Sequence, residues 1–203
     1  MKLYDGGRAP NPRRVRIFLA EKGITVEMQA VDLGKLEHKA PAFTAVNPLQ
    51  RLPALELDDG TIITESLAIC RYFEALHPQP NLFGTTALEI ATVDMWNRRL
   101  ELHLYAPVQY VFRHSHPGMK DFEIPQIADW AEVNKPRVTD FLAILDKQLA
   151  NHAFVAGERF TVADITGLVS VDLMKPARLT VSEEFGNVRR WYADMNQRPS
   201  ARA

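Results

Sequence analysis

The amino-acid sequence predicts two domains, an α/β domain followed by an all-α domain. Strand and helix patterns alternate in the first part of the chain, an Asp-Gly turn separates two short apolar runs there, and only helical patterns follow residue 86. At 203 residues the chain is long enough for each domain to bury an apolar core. We expect the domains at residues 1–77 and 87–203, with a linker at about 78–86.

The first domain should begin with a β-α-β unit. A short strand ends at Gly6-Gly7, and the helix after it is expected to have Asn11 as its N-cap, Pro12 as its first residue and Gly23 just beyond its end. Residues 25–30 alternate polar and apolar side chains, which indicates a second strand. Because two strands joined by a helix within about 30 residues form a right-handed crossover, these strands should be parallel.

A hairpin and a helix are expected to complete the first domain. After an irregular helical connection at residues 35–47, Asp58-Asp59-Gly60 lies between two short apolar runs and is typical of a turn between antiparallel strands. A helix should begin near Thr64-Glu65-Ser66 and end before Pro78, since prolines cannot continue it. The order β-α-β, connection, β-β-α is the thioredoxin-like arrangement.

The second domain is predicted to contain long helices. The first has apolar side chains at helical spacing, among them Val93, Trp96 and Leu100. A second long helix is expected at residues 126–150, either interrupted or bent near Pro136. The all-α prediction rests on these patterns and on the lack of further hairpin signals.

Composition argues against several classes of function. With 24 Lys and Arg against 25 Asp and Glu, the chain lacks the basic character of a nucleic-acid-binding protein. No run of 18 apolar residues predicts a membrane span, and the first residues lack the apolar run of a signal peptide. The one cysteine, Cys70, cannot form an internal disulfide, and His114-Ser115-His116 is too short and isolated a pair for a metal site. We therefore expect a cytoplasmic protein without a metal.

Several motifs together resemble those of the cytosolic glutathione transferases. They are NPLQRLPAL at residues 47–55, DDG at residues 58–60 and TESLAI at residues 64–69. A capping box at Thr161 and Asp164 also resembles a folding signature of the helical domain in that family. The resemblance covers nearly the whole chain, and it identifies the protein as a member of the family, of the bacterial type. It implies glutathione as co-substrate.

The resemblance assigns the γ-glutamyl end and the middle of glutathione to two segments. Ser66 and the N–H groups of its helix start would receive the γ-glutamyl carboxylate, and Glu65 would pair with the amino group. Leu52 would precede a cis-proline, Pro53, and its backbone would pair with the cysteinyl part. The alternatives are a simple helix cap at residues 64–66 and a proline that merely opens an edge strand.

The glycyl carboxylate and the sulfur have less clear partners. His38 lies where some relatives use a histidine to bind the glycyl carboxylate. Lys39 or Lys35 could bind that carboxylate in its place. The alternative is that these side chains are solvated at the surface and bind nothing. The family places a Tyr, Ser or Cys near the sulfur, but none occurs between Asp5 and Val15. Asn11 is then the best side-chain donor and resembles the asparagine of some bacterial and fungal branches, unless it only caps the helix.

Four arginines near that position, at residues 8, 13, 14 and 16, would either attract the anionic tripeptide or form a solvated helix face. The second substrate, an electrophilic and mainly apolar small molecule, should lie between the domains. Its expected contacts come from the first long helix of the second domain: Trp96, Arg99, His103, Tyr110 and His114.

The resemblance also implies a homodimer, with Phe43, Tyr72 and Trp96 as residues of which some would contact the partner subunit. Three functions fit the chain at this point. The leading one is conjugation of the glutathione thiolate to the electrophile. The others are a catalytically inactive glutathione-binding protein, favoured by the missing Tyr, Ser or Cys, and a glutathione-dependent reductase of disulfides or peroxides.

Overall fold

The computed structural model describes residues 1–203 as two compact units. The first contains Met1–Asn81 together with Pro199–Ala203, and the second contains Leu82–Arg198. The division falls within residues 78–86. The last five residues belong to the first unit because they contact α1 (Pro10–Lys22): Arg13 Nη2 donates to the carbonyl of Ala201 at 2.8 Å. Sequence patterns did not predict this return of the chain.

A four-stranded mixed sheet forms the first unit with its helices, which confirms the thioredoxin-like prediction. The strand order is β2-β1-β3-β4; β1 is parallel to β2 and antiparallel to β3, which is antiparallel to β4. Along the chain the elements are β1 (Lys2–Asp5), α1, β2 (Glu27–Ala30), a 3₁₀ turn (Glu37–Lys39), α2 (Pro41–Val46), β3 (Ala54–Glu56), β4 (Ile62–Thr64) and α3 (Ser66–Leu76).

Two details of the first unit differ from expectation. Helix α1 begins at Pro10 with Ala9 as its N-cap, two residues earlier than predicted, and no side chain caps it. Proline suits this start because its φ is already helical and its missing N–H would be unpaired there. Strand β2 forms, but all four of its residues are exposed, since it is an edge strand of the sheet.

The core of the first unit lies between the sheet and helices α1 and α3. Phe18 of α1, Leu55 of β3 and Phe73 of α3 are almost fully buried. At the end of α1, the buried Lys22 ammonium forms an ion pair with Glu74 and donates to the carbonyls of His77 and Pro80. Lys22 thereby ties the chain after α3 to the end of α1.

The second unit consists of helices, as predicted. One continuous helical stretch contains α4 (Ala87–Leu100), a π-helical segment (Glu101–Tyr105) and α5 (Ala106–Ser115). It is followed by α6 (Ala128–Leu149), with Pro136 inside, α7 (Val162–Met174) and α8 (Gly186–Gln197). No helix is both long enough and apolar enough to span a bilayer.

Helix α7 is the centre of the second unit, and nearly every residue in it is buried. Gly167 lies so close to Trp191 that a Cβ there would be 2.7 Å from the indole ring, so a larger residue would displace α8. The predicted capping box is present: the fully buried Asp164 carboxylate accepts from the N–H of Thr161 at 2.9 Å. It also accepts from the N–H of Val155 and from Trp191 Nε1, so one side chain connects the loop before α7 with α8.

Candidate functional site

The start of α3 offers main-chain N–H groups to a ligand. Its N-cap, Glu65, is exposed and has a left-handed φ of 66° with ψ 116°, and its side chain makes no capping hydrogen bond. The first N–H groups of a helix have no partners within the helix, and together with the helix dipole they favour an anion. A non-glycine residue at positive φ is costly, and such residues concentrate at functional sites.

Ser66, the first residue of α3, connects this helix start with α1. Its side chain is buried, and its Oγ accepts a hydrogen bond of 2.9 Å from Nη1 of Arg14, which is itself 2% exposed. Asn11 lies three residues before Arg14, almost one helical turn, and so on the same side of α1. The structure thus brings the starts of α1 and α3 to the same side of the first unit.

The arginines do not form the solvated helix face that we weighed from the sequence. Arg14 is buried against Ser66, Arg16 pairs with Asp5, and Arg13 binds the Ala201 carbonyl. Only Arg8 is exposed. The sequence did not distinguish Arg14 from the other three arginines. The only sign of a role in binding an anion was that no acidic residue lies among the four.

The loop before α1 lies against the Leu52-Pro53 segment. A Cβ on Gly6 would be 3.0 Å from Leu52 Cδ1 and 3.5 Å from the Ala9 Cβ, so a side chain at this position would press against Leu52. The Leu52-Pro53 peptide bond is cis, as the resemblance implied. Leu52 therefore lies beside the loop that leads into Asn11.

Asn11 occupies the second position of α1 and is half-buried. Because Pro10 and Pro12 have no N–H, Asn11 provides the only main-chain donor among the first three residues of the helix. The N–H of Arg13 is already used, since it donates to the Ala9 carbonyl at 3.1 Å. The side-chain amide of Asn11 is not used for capping, contrary to the N-cap prediction, and so it is not committed to the helix start.

Tyr4, the nearest tyrosine to this loop, has a different role. Its hydroxyl donates to Glu56 Oε2 at 2.6 Å, and this hydrogen bond raises the pKa of Tyr4 above its ordinary value. A tyrosine held in this way is a poor donor to a sulfur atom. Cys70 is fully buried in α3, and burial raises the pKa of its thiol to about 12, which makes it an unreactive core residue.

His38 and Lys39 lie in the 3₁₀ turn between β2 and α2. His38 is only 2% exposed, so it is not the solvated surface side chain that was the alternative, whereas Lys39 and Lys35 are exposed. Lys35 forms an ion pair with Asp32 at 3.5 Å. Both lysines are therefore accessible from solvent, whereas the His38 ring is almost completely enclosed.

A cavity of about 770 Å³ lies within the second unit, between the α4-to-α5 stretch and α6. Three of the five predicted second-substrate residues line it: Arg99, His103 and Tyr110. The wall contributed by α6 was not predicted, because nothing in the sequence shows which helix faces which; it includes Asn134, Arg137, Asp140, Phe141 and Ile144.

The other two predicted residues are not part of this lining. Trp96 is 5% exposed and buried within the unit, with the Arg99 guanidinium over its ring. His114 instead accepts a hydrogen bond from the N–H of Ile127 through Nδ1 at 3.1 Å. No group of three or more His, Cys, Asp or Glu side chains is placed to hold a metal ion.

Comparison with known proteins decides the family. Models of the glutathione S-transferase N-terminal and C-terminal domains match residues 9–76 and 108–199. Glutathione S-transferase 2 of Saccharomyces cerevisiae is 40% identical over 205 residues, which cover 100% of this chain and 88% of the relative. The chain belongs to the glutathione S-transferase family. It is accordingly an enzyme of the glutathione transferase class, with glutathione as co-substrate.

Solved structures of this glutathione transferase's relatives agree with its fold. The crystal structure of Gtt2 from S. cerevisiae matches with a TM-score of 0.94 at 40% identity, covering 100% of this chain and 99% of that one. A Gtt2-class glutathione S-transferase of Vibrio parahaemolyticus matches with a TM-score of 0.87 at 34% identity, covering 98% and 94%. The thioredoxin-like and helical domains of this transferase are thus those of its family.

Proposed function

We propose that this glutathione transferase conjugates the glutathione thiolate to an electrophilic, mainly apolar small molecule. In the reaction the sulfur forms a bond to an electrophilic carbon, and the leaving group departs with the bonding electrons. The observation that supports this most strongly is the convergence of the α1 start, the Leu52-Pro53 segment and the α3 start in the first unit. These three segments supply donors for an extended, anionic tripeptide.

The tripeptide would lie across these segments from its glutamyl end. Its γ-glutamyl carboxylate binds the Ser66 hydroxyl and the first N–H groups of α3, and the buried Arg14 orients that hydroxyl. The exposed Glu65 carboxylate pairs with the amino group. The backbone of Leu52, held next to cis-Pro53, pairs with the cysteinyl part, and Lys39 with His38 receives the glycyl carboxylate.

The thiolate would be stabilised at the start of α1. A free thiol with a pKa of about 8.5 is only a few per cent ionised at neutral pH, so a lower pKa raises the concentration of the nucleophile by roughly ten-fold or more. The main-chain and side-chain N–H groups of Asn11 can donate to the sulfur, and the helix dipole adds to their effect. This arrangement replaces the Tyr, Ser or Cys that is missing between Asp5 and Val15.

The electrophile would bind in the cavity of the helical unit. A volume of about 770 Å³ is within the range of small-molecule sites, and Phe141, Pro107 and Leu102 provide apolar walls. Two further proposals come from the family: the enzyme acts as a homodimer, and it works in the cytoplasm.

Three parallel assays test the proposed reaction. The enzyme with glutathione should convert 1-chloro-2,4-dinitrobenzene to its thioether faster than it reduces cumene hydroperoxide or a mixed disulfide. Activity on the hydroperoxide or disulfide alone would indicate a reductase. Tight binding of S-methylglutathione without turnover of any of the three would indicate an inactive binding protein.

A further inference from the structure

The loop that leads into α1 is closed by an ion pair between residues on either side of it. Asp5 is the last residue of β1, and its Oδ1 pairs with Nη1 of Arg16 in α1. The other carboxylate oxygen, Oδ2, accepts a hydrogen bond of 2.9 Å from the N–H of Gly7, and Arg16 Nη2 donates to the Gly7 carbonyl at 2.9 Å. Asp5 and Arg16 thus hold both main-chain polar groups of Gly7.

This ion pair is shielded from water to an extent that surface ion pairs are not. The Asp5 and Arg16 side chains are 15% and 19% exposed, whereas those of Asp32 and Lys35 are 46% and 75% exposed. Helical side chains tilt towards the N-terminus of their helix, which lets Arg16 reach back from the second turn of α1 to the loop. Because partly buried charges are screened less than exposed ones, the pair can fix the loop more firmly than a surface ion pair would.

The same loop is held on its other side by the segment proposed to bind glutathione. Gly6 lies against Leu52, since a Cβ on Gly6 would be 3.0 Å from Leu52 Cδ1. Ala9 closes the loop, with its N–H donating to the Gly6 carbonyl at 3.4 Å, and α1 begins at the next residue. The position of the loop therefore sets where Asn11 lies relative to Leu52.

A carboxylate so close to the start of α1 would oppose a second anion there. The Asp5 carboxylate bonds the main chain of the loop that leads to Asn11. A negative charge near an ionisable thiol disfavours its thiolate form. Arg16 is the cation that meets this carboxylate, because Arg13 and Arg14 bind neutral oxygens of other segments.

We infer that Asp5 and Arg16 are positioning residues of the transferase reaction. Together they hold the loop that places Asn11, and Arg16 cancels the Asp5 charge that would oppose the glutathione thiolate. The inference rests on the proposed function, because it takes the thiolate to lie at the start of α1. Neither side chain is assigned a contact with glutathione, so their effect should be on the ionisation of the bound thiol and not on the affinity for the tripeptide.

Titration of the thiolate absorbance against pH in the glutathione complex tests the role of the two charges. In Arg16→Gln the Asp5 carboxylate loses its counter-ion, and the thiol pKa should rise by about 0.5 or more. In Asp5→Asn the amide oxygen can still accept from Gly7 while the Arg16 charge becomes unbalanced, so the thiol pKa should fall below the wild-type value. Arg16→Lys, which keeps the charge, should titrate closer to wild type than Arg16→Gln does.

The double variant separates charge from structural damage. If Arg16→Gln acts through the uncancelled charge of Asp5, adding Asp5→Asn should reverse most of the rise in the thiol pKa, although it alters a second contact of the loop. Lys2→Gln is the control, because Lys2 pairs with Glu56 at the opposite end of β1, and it should leave the thiol pKa unchanged. S-methylglutathione has no ionisable thiol and should bind Arg16→Gln within about two-fold of its wild-type affinity.

Three results would overturn the inference: an unchanged thiol pKa in Arg16→Gln, a rise in Asp5→Asn, or a rise in Arg16→Gln that the double variant retains. Asn11→Ala in the same titration distinguishes this inference from the proposed function. If Asn11→Ala raises the thiol pKa and Arg16→Gln does not, only the inference fails. If neither variant changes it, the thiolate does not lie at the start of α1, and the proposed site of the sulfur fails as well.

Discussion

Asn11 is available to a ligand because Ala9 takes the N-cap position of α1. The two prolines beside Asn11 remove competing N–H groups, so the partial positive charge of the helix start is presented mainly by this residue. Arg14 lies almost one turn further along α1 and reaches the α3 start through Ser66. One short helix therefore serves both the sulfur and the glutamyl end in the proposed complex.

Substitution of Asn11 should change the acidity of bound glutathione. Loss of the side-chain donor in Asn11→Ala should raise the thiol pKa by about 1 or more, since a hydrogen bond to a charged group contributes about 1.5–3 kcal/mol. Titration of the thiolate absorbance against pH in the complex measures this pKa. Asn11→Asp, which is isosteric but negative, should raise it further. If all three proteins titrate alike, the sulfur is bound by another group.

Ser66 should matter for affinity rather than for acidity. Ser66→Ala removes the hydroxyl that receives the glutamyl carboxylate, and glutathione should bind more weakly by about 1.5–3 kcal/mol in calorimetric titration. Ser115→Ala is the matched control, because that exposed serine donates within the second unit. Thermal unfolding of both variants shows whether the Arg14 contact supports the fold. An unchanged affinity would place the glutamyl end elsewhere.

Two helices of the second unit, α4 and α7, have starts fixed by a carboxylate three residues beyond the N-cap. Asp164 fixes α7, and Glu89 fixes α4, where its carboxylate accepts from the Thr85 hydroxyl at 2.6 Å and from the N–H groups of Thr85 and Thr86. The second capping box was not predicted. It matters for the site because α4 leads to Arg99 and His103 of the cavity.

The Glu89 capping box should make stability depend on pH. Its hydrogen bonds, that of the Thr85 hydroxyl first, lower the pKa of Glu89 to about 2. A carboxylate whose pKa is lower in the folded state stabilises the fold above its unfolded pKa, and this contribution is lost as pH falls from about 4.5 towards 2. Glu89→Ala should therefore unfold more easily in urea at pH 7.

Urea unfolding of the wild type and of Glu89→Ala at lower pH provides the control for this prediction. The difference between wild type and Glu89→Ala should shrink steadily at pH 5, 4 and 3, because protonation removes the charge in the wild type as well. Leu88→Ala, an exposed neighbour outside the capping box, should show no such dependence. A constant difference for Glu89→Ala at every pH would mean that its charge does not stabilise α4.

The three residues expected at a subunit contact differ in how much surface they expose. Phe43 is 5% exposed in the core of the first unit, where it packs with Tyr4, and Trp96 is 5% exposed in the second unit. Side chains this deeply buried offer very little surface to a partner subunit. Tyr72 is partly exposed, with its hydroxyl 3.8 Å from Met1 Sδ, and it alone of the three can lie at an interface.

The mass of the protein in solution tests the proposed homodimer directly. Large apolar side chains remain exposed on the α4 stretch and on α6, including Leu88, Met95 and Val133, and such surface commonly lies at an interface. Sedimentation at micromolar concentration should give about twice the 23.0 kDa of one chain. Repeating the sedimentation measurement at nanomolar concentration shows whether the dimer dissociates on dilution. A mass of one chain at micromolar concentration would contradict the homodimer.

The fold class, the element order and the segments that bear the site could all be predicted from the amino-acid sequence. Local signals suffice for these features. Asp59-Gly60 favours a hairpin turn, and the pair Thr161 and Asp164 favours a helix start, through contacts among residues that are close in the sequence. The motif at residues 47–55 likewise located the segment around cis-Pro53. Such features depend on residues near one another in the chain.

Tertiary structure alone decided which distant residues meet. The residues around Arg14 do not show that it will be buried against Ser66, which lies 52 positions further along the chain. Nor do the residues around Arg137 show that it will line the same cavity as Arg99. The same holds for His38, whose burial depends on packing, and for Asn11, whose amide became available because Pro10 extended the helix. Contacts between elements are set by how their surfaces pack, and local sequence does not encode that packing.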